Sequence, residues 1–86
     1  MHLSIPENIS WKNLQPGIVL LNLRNGVYYT LNETATAIMH GILDGKSEED
    51  IVSALVEEYD CKKEQALDDF REQVTFLISE GLLKEI

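Results

Sequence analysis

The stretch GVYYTLNETATAIMHGILDG, residues 26–45, changes period halfway through with no loop between. Val27 to Leu31 is strand-like: β-branched and aromatic residues dominate it. A helix signature then begins at Asn32, whose side-chain oxygen can accept a free first-turn N–H, with Glu33 placed to suit the helix dipole. Ala35, Ile38, Met39, Ile42 and Leu43 recur at helical spacing, and Gly45 supplies a left-handed stop. A chain with this weld has to hold its last strand fixed relative to its first helix. That constraint limits the fold more than any other feature.

The preceding IVLLNLRNG run makes Val27–Leu31 the second arm of a hairpin. A two-residue Asn-Gly turn pairs Arg24 with Val27 and puts Leu20, Asn22, Tyr29 and Leu31 on one face, mixing polar with apolar. A three-residue loop with Gly26 as a G1 bulge pairs Leu23 with Val27. It gathers Val19, Leu21, Leu23, Val27, Tyr29 and Leu31 on one face, leaving Leu20, Asn22, Tyr28 and Thr30 on the other. A one-residue slip inverts every side chain, so the buried face decides, and the bulged register is the one expected.

Upstream, ISWKNL reads as a short strand with Ile9 and Trp11 on one face, and QPG at residues 15–17 as a turn in which Gly17 takes a positive φ. The first eight residues read as a lead-in. Downstream, Ser47 caps a second helix with Ile51, Val52, Leu55 and Tyr59 as its stripe. A third helix follows YDCKK and runs to about Glu80, with Leu67, Phe70, Val74, Leu77 and Ile78 inward. Gly81 ends it, and Leu82 and Leu83 return to the core. Strands followed by helices define an α+β fold, winged-helix-like, with a three-stranded antiparallel sheet and then three helices. With 86 residues, 44% hydrophobic and 26% charged, residues 1–86 form a single domain.

The chemistry-bearing residues are sparse. His2 and His40 lie far apart and Cys61 is the one cysteine, so neither a metal site nor a disulfide is expected, and no cofactor. Carboxylates cluster on helix surfaces, where they are solvated faces, and no glycine-rich phosphate loop exists. No enzyme activity is expected. The second and third helices could form a helix-turn-helix, the DNA-binding alternative. Against it stand a net charge of −8 and a third helix carrying Glu64, Asp68, Asp69, Glu72 and Glu80 where a recognition helix needs cations. The chain starts at Met1 without a signal sequence and has no long apolar run, so the expectation is a cytoplasmic protein with neither membrane nor nucleic-acid partner.

Two aromatic features bear on binding. Tyr29 faces the core, with its hydroxyl at the rim, while Tyr28 faces outward. Phe76 lies off the third helix's apolar stripe, either covered by the C-terminal LLKEI or exposed for a partner. In a three-strand meander the middle strand is paired on both sides. Val27–Leu31 is then an edge, offering unpaired N–H and C=O groups to an extended peptide.

Taken together, VLLNLRNGVYYTLNETATAIMHGILDG, IVSALVEEYD and FLISEGLL resemble the PqqD-like family from about Ile18 to Leu83. The most specific element is G-x-Y-Y-x-L-N-x-T-A at Gly26–Ala35, supported by Leu43–Gly45 and the final GLL. The resemblance implies a non-catalytic peptide-recognition domain in the making of ribosomally synthesised, post-translationally modified peptides. Such a domain binds the leader of a precursor peptide as an added strand, in a groove shared with the third helix. It presents the precursor to a modifying enzyme, such as a radical S-adenosylmethionine enzyme or a leader peptidase. The expected contact residues are Val27, Tyr28, Tyr29, Thr30, Leu31, Asp69, Gln73 and Phe76, with Gln73 standing where the family tends to an apolar residue.

Overall fold

The computed structural model describes residues 3–14 and 17–86. In chain order the elements are β1 (Leu3–Ser4), β2 (Ile9–Asn13), β3 (Ile18–Asn22), β4 (Tyr28–Thr30), α1 (Glu33–Leu43), α2 (Glu48–Tyr59), α3 (Lys63–Ser79) and β5 (Lys84–Glu85). β2, β3 and β4 form an antiparallel sheet in that order, so β4 is an edge. The expected three strands and three helices are therefore present. The ends add something unexpected: β1 pairs antiparallel with β5, so the presumed lead-in is tied to the C-terminus. A two-residue strand carries too little periodicity to be read from sequence.

The hairpin register differs from the expected one. Val19 faces Thr30, Leu20 faces Tyr29 and Leu21 faces Tyr28, which leaves Leu23 to Gly26 as a four-residue loop. Asn22 organises that loop: its carbonyl accepts from Gly26 N–H at 2.8 Å and its side chain accepts from Arg24 N–H at 2.9 Å. Gly26 does take the left-handed conformation, at φ 72°. The inward residues are Ile18, Leu20, Tyr29 and Leu31, while Val19 and Leu21 face outward and Leu23 and Val27 are exposed. Apolarity could not choose between the faces because both sides of this sheet are apolar. Ile18, fully buried and in phase with Leu20, is the residue that decides it.

The core has two lobes joined through α1. Ile9, Ile18, Leu20 and Leu31 from the sheet meet Ala35 and Met39 of α1, Leu77 of α3, and Leu82 and Leu83. Ile38, on the other side of α1, meets Ile51, Val52 and Leu55 of α2 and Ala66, Phe70 and Val74 of α3. One helix thus serves both halves, at the usual helical spacing of core positions. The caps are as read: Ala35 N–H donates to Asn32 Oδ1 at 2.8 Å and Asp50 N–H to Ser47 Oγ at 3.1 Å.

Part of the expected QPG turn, residues 15 and 16, lies outside the described residues. Gly17 lies within them, and its role is not a positive φ. A Cβ there would stand 2.6 Å from the Leu31 carbonyl oxygen and 2.7 Å from Thr36 Oγ1. That hydroxyl in turn accepts from Ile18 N–H at 3.1 Å and donates to Leu31 O at 3.3 Å. Gly17 thus lets β3 and the β4–α1 junction close together.

Candidate peptide-binding groove

The direction of each backbone group on β4 follows from two hydrogen bonds. Asn22 N–H donates to Val27 O at 3.0 Å, and Leu31 N–H donates to Ile18 O at 2.9 Å. In an antiparallel ladder, hydrogen-bonded and non-bonded pairs alternate. Leu20–Tyr29 is therefore a bonded pair, and Leu21–Tyr28 and Val19–Thr30 are not. The N–H and C=O of Tyr28 and Thr30 point away from β3, toward the open edge. At either end the backbone is already used: Val27 N–H donates to Asn25 Oδ1 at 2.9 Å, and Leu31 N–H is taken by Ile18.

α3 forms the other wall. Its buried stripe is Ala66, Phe70, Val74 and Leu77. At 100° per residue, the flank turned toward β4 carries Gln65, Asp69, Gln73, Phe76 and Glu80. One contact and one shared cavity fix this orientation. Tyr29 Oη donates to Glu80 Oε1 at 3.2 Å. Farther along, Asp69 and Gln65 share a cavity of ≈ 200 Å³ with Thr34 of α1. The opposite flank turns to α2, where Arg71 meets Glu48 at 3.4 Å. The β4–α1 weld thus holds the open edge of Tyr28 and Thr30 one residue either side of Tyr29, whose hydroxyl reaches Glu80 on this flank of α3.

The expected contact residues fall into distinct positions. Tyr28 and Thr30 are exposed on the sheet's outer face; Tyr28 is 68% exposed. There Tyr28 shares a cleft of ≈ 290 Å³ with Trp11, Leu14, Val19 and Leu21. Tyr29 is half-buried against the sheet lobe of the core. Partial burial, then the bond to Glu80 and that carboxylate's charge, push its phenol pKa up from the ordinary value. Leu31 is a core residue at 5% exposure and Val27 sits exposed at the hairpin end. Asp69 and Gln73 are half-buried and Phe76 is 45% exposed. The C-terminus therefore covers the sheet lobe with Leu82 and Leu83 and leaves Phe76 open.

Glu80, Gln65 and Thr34 stand near the expected contact residues and were not among them. Glu80 could have been found: it lies four residues beyond Phe76 and eleven beyond Asp69, on the same helix face. Thr34 and Gln65 follow only from the packing of α1 against α3. Tyr59 borders the same cavity. Its hydroxyl is buried with no partner at hydrogen-bond distance, and burial, followed by the charges of Glu33 and Glu58, pushes its pKa up. Among the described residues, no group of three His, Cys, Asp or Glu side chains is placed to hold a metal ion.

An open sheet edge paired with a helix face is the architecture of a strand-addition binding domain. The chain belongs to the PqqD family, Coenzyme PQQ synthesis protein D, whose pattern matches residues 17–83. Two solved structures are similar over nearly the whole chain. One is described as lasso peptide synthetase B1 complexed with the leader peptide, with a TM-score of 0.92 and 33% identity, covering 99% of this chain and 100% of that one. The other is TbiB1 in complex with the TbiA(beta) leader peptide, with a TM-score of 0.87 and 27% identity, covering 100% of this chain and 98% of that one. A comparison with curated proteins gave no match.

Proposed function

We propose that this protein is a non-catalytic adaptor that binds the leader of a ribosomally made precursor peptide and delivers it to a modifying enzyme. The leader adds as a strand to β4 and lays alternate side chains against α3. The observation that carries this reading is the free backbone of Tyr28 and Thr30 facing open space beside the polar flank of α3. Backbone pairing gives affinity with little sequence demand, and the α3 wall selects among sequences. Both structural neighbours are leader-peptide complexes. The enzyme partner is of the radical S-adenosylmethionine or leader-peptidase type, and chemistry resides there.

The DNA-binding alternative finds no support. The exposed side of α3 presents Glu64, Asp68 and Glu72, which repel a phosphate backbone. Fluorescence anisotropy with labelled leader peptides from short reading frames beside this gene tests the adaptor reading. Saturable binding to one leader, competed by its unlabelled form and not by duplex DNA, is expected. Failure of every such leader, together with salt-sensitive DNA binding, would overturn it.

A further inference from the structure

The groove's charge is one-sided, and this has a consequence for what it accepts. Asp69 and Glu80 project from the α3 flank, and Glu33 opens α1 directly beyond the strand. The cations among the described residues lie elsewhere. Lys12 is on β2, where it lines the outer-face cleft beside Tyr28 and not the α3 flank, and Arg24 is in the hairpin loop; Lys46 precedes α2, Lys62 and Lys63 start α3, and Lys84 is in β5. Arg71 is held by Glu48 on the opposite flank. Among the described residues, none of these cations makes an ion pair with Asp69 or Glu80.

The spacing of this wall is also specific. Asp69, Gln73, Phe76 and Glu80 present one side chain per helical turn, about 5.4 Å apart. Alternate residues of an extended peptide recur about every 6.6 Å. The two periods are similar, so a strand added at β4 and running along α3 would meet about one side chain per helical turn.

We propose that the groove is built for a basic leader segment. Lys or Arg lies opposite Asp69 and Glu80, a polar residue opposite Gln73, and an apolar or cationic side chain lies over the Phe76 ring. This rests on strand addition at β4 as proposed above and adds the substrate class. The carboxylates supply charge-assisted hydrogen bonds, and the exposed ring supplies an apolar and cation–π surface. Glu80 keeps one oxygen free, since only Oε1 receives Tyr29 Oη.

The test uses two synthetic peptides of about eight residues, one alternating Thr and Lys, the other Thr and Gln, followed by amide chemical shifts. The protein is tested unaltered, as Asp69→Asn/Glu80→Gln, and as a control with the same charge change, Glu49→Gln/Glu57→Gln on α2. The Thr-Lys peptide is expected to shift the Tyr28 and Thr30 amides and to bind about tenfold or more tighter than Thr-Gln. That preference should fall at least about threefold in the groove variant and hold in the α2 control. Equal affinity of both peptides at the edge overturns the basic-leader proposal and leaves strand addition standing. So does a preference lost equally in the α2 control, because it then reflects net charge alone. Silence of Tyr28 and Thr30 with either peptide overturns strand addition and the basic-leader proposal together.

Discussion

Phe76 and Tyr29 show how single side chains divide between folding and binding. Phe76 is 45% exposed on a helix whose core stripe is complete without it. Phe76→Ala should change unfolding free energy by less than about 0.5 kcal/mol while weakening leader binding by about 1–3 kcal/mol, as expected for an exposed aromatic anchor. Chemical denaturation and anisotropy on the same variant check both halves. A stability loss near the 3–5 kcal/mol typical of a buried Phe would mean the ring is packed in solution. Tyr29 bears on alkaline stability. Its pKa is raised in the folded state, so the unfolded chain loses its phenolic proton first. The stabilisation is complete below the ordinary tyrosine value of about 10 and is lost as pH rises through the folded value. Tyr29→Phe should therefore flatten the fall in melting temperature above about pH 10; an unchanged alkaline limb would mean that partial burial and Glu80 do not raise the phenol pKa in the folded state.

Among the elements, β4 is short but fixed on three sides: by β3, by the Asn32 cap, and by the Gly17 approach to Leu31. Gly17→Ala should destabilise by about 1–3 kcal/mol, because the new Cβ meets a backbone carbonyl that cannot move freely. A thermal melt reads it, and an unchanged midpoint would show that the junction is loose. Thr30→Pro probes the other side of the strand. The Thr30 N–H points to the open edge, and proline is tolerated on edge strands where the lost donor faced outward. The fold should survive, and leader binding should weaken about fivefold or more through the lost hydrogen bond. Unfolding of the variant would mean that the ladder runs in the other phase. The element pattern itself was legible in the sequence: Asn32, Ser47, Gly45 and Gly81 fixed where helices begin and end. The hairpin register was not, because Val19, Leu21 and Tyr28 make the outer face as apolar as the inner one. The β1–β5 pairing was not either, since it joins the two ends of the chain through a contact with no local signal.

At the scale of the whole molecule, the sheet and the helices are two lobes held by α1, and the proposed groove runs from the β4 edge to the α3 flank that Tyr29 reaches through Glu80. The edge position of β4 could be inferred from a three-strand meander, and the shared face of Asp69, Gln73 and Phe76 from their helical spacing. The narrowing to Tyr28 and Thr30 required the actual hydrogen-bond phase. The acidic character of the wall required knowing which flank of α3 turns toward the strand. No helix among the described residues is long and apolar enough to cross a membrane. The central claim is that a leader peptide adds to β4 beside α3. Its most direct test is a titration of the isotopically labelled protein with its cognate leader, following every backbone amide. The largest shifts are expected at Tyr28 and Thr30, with a second set along Asp69, Gln73, Phe76 and Glu80. Shifts confined to the α1–α2 surface, with Tyr28 and Thr30 unmoved at saturation, would contradict the claim.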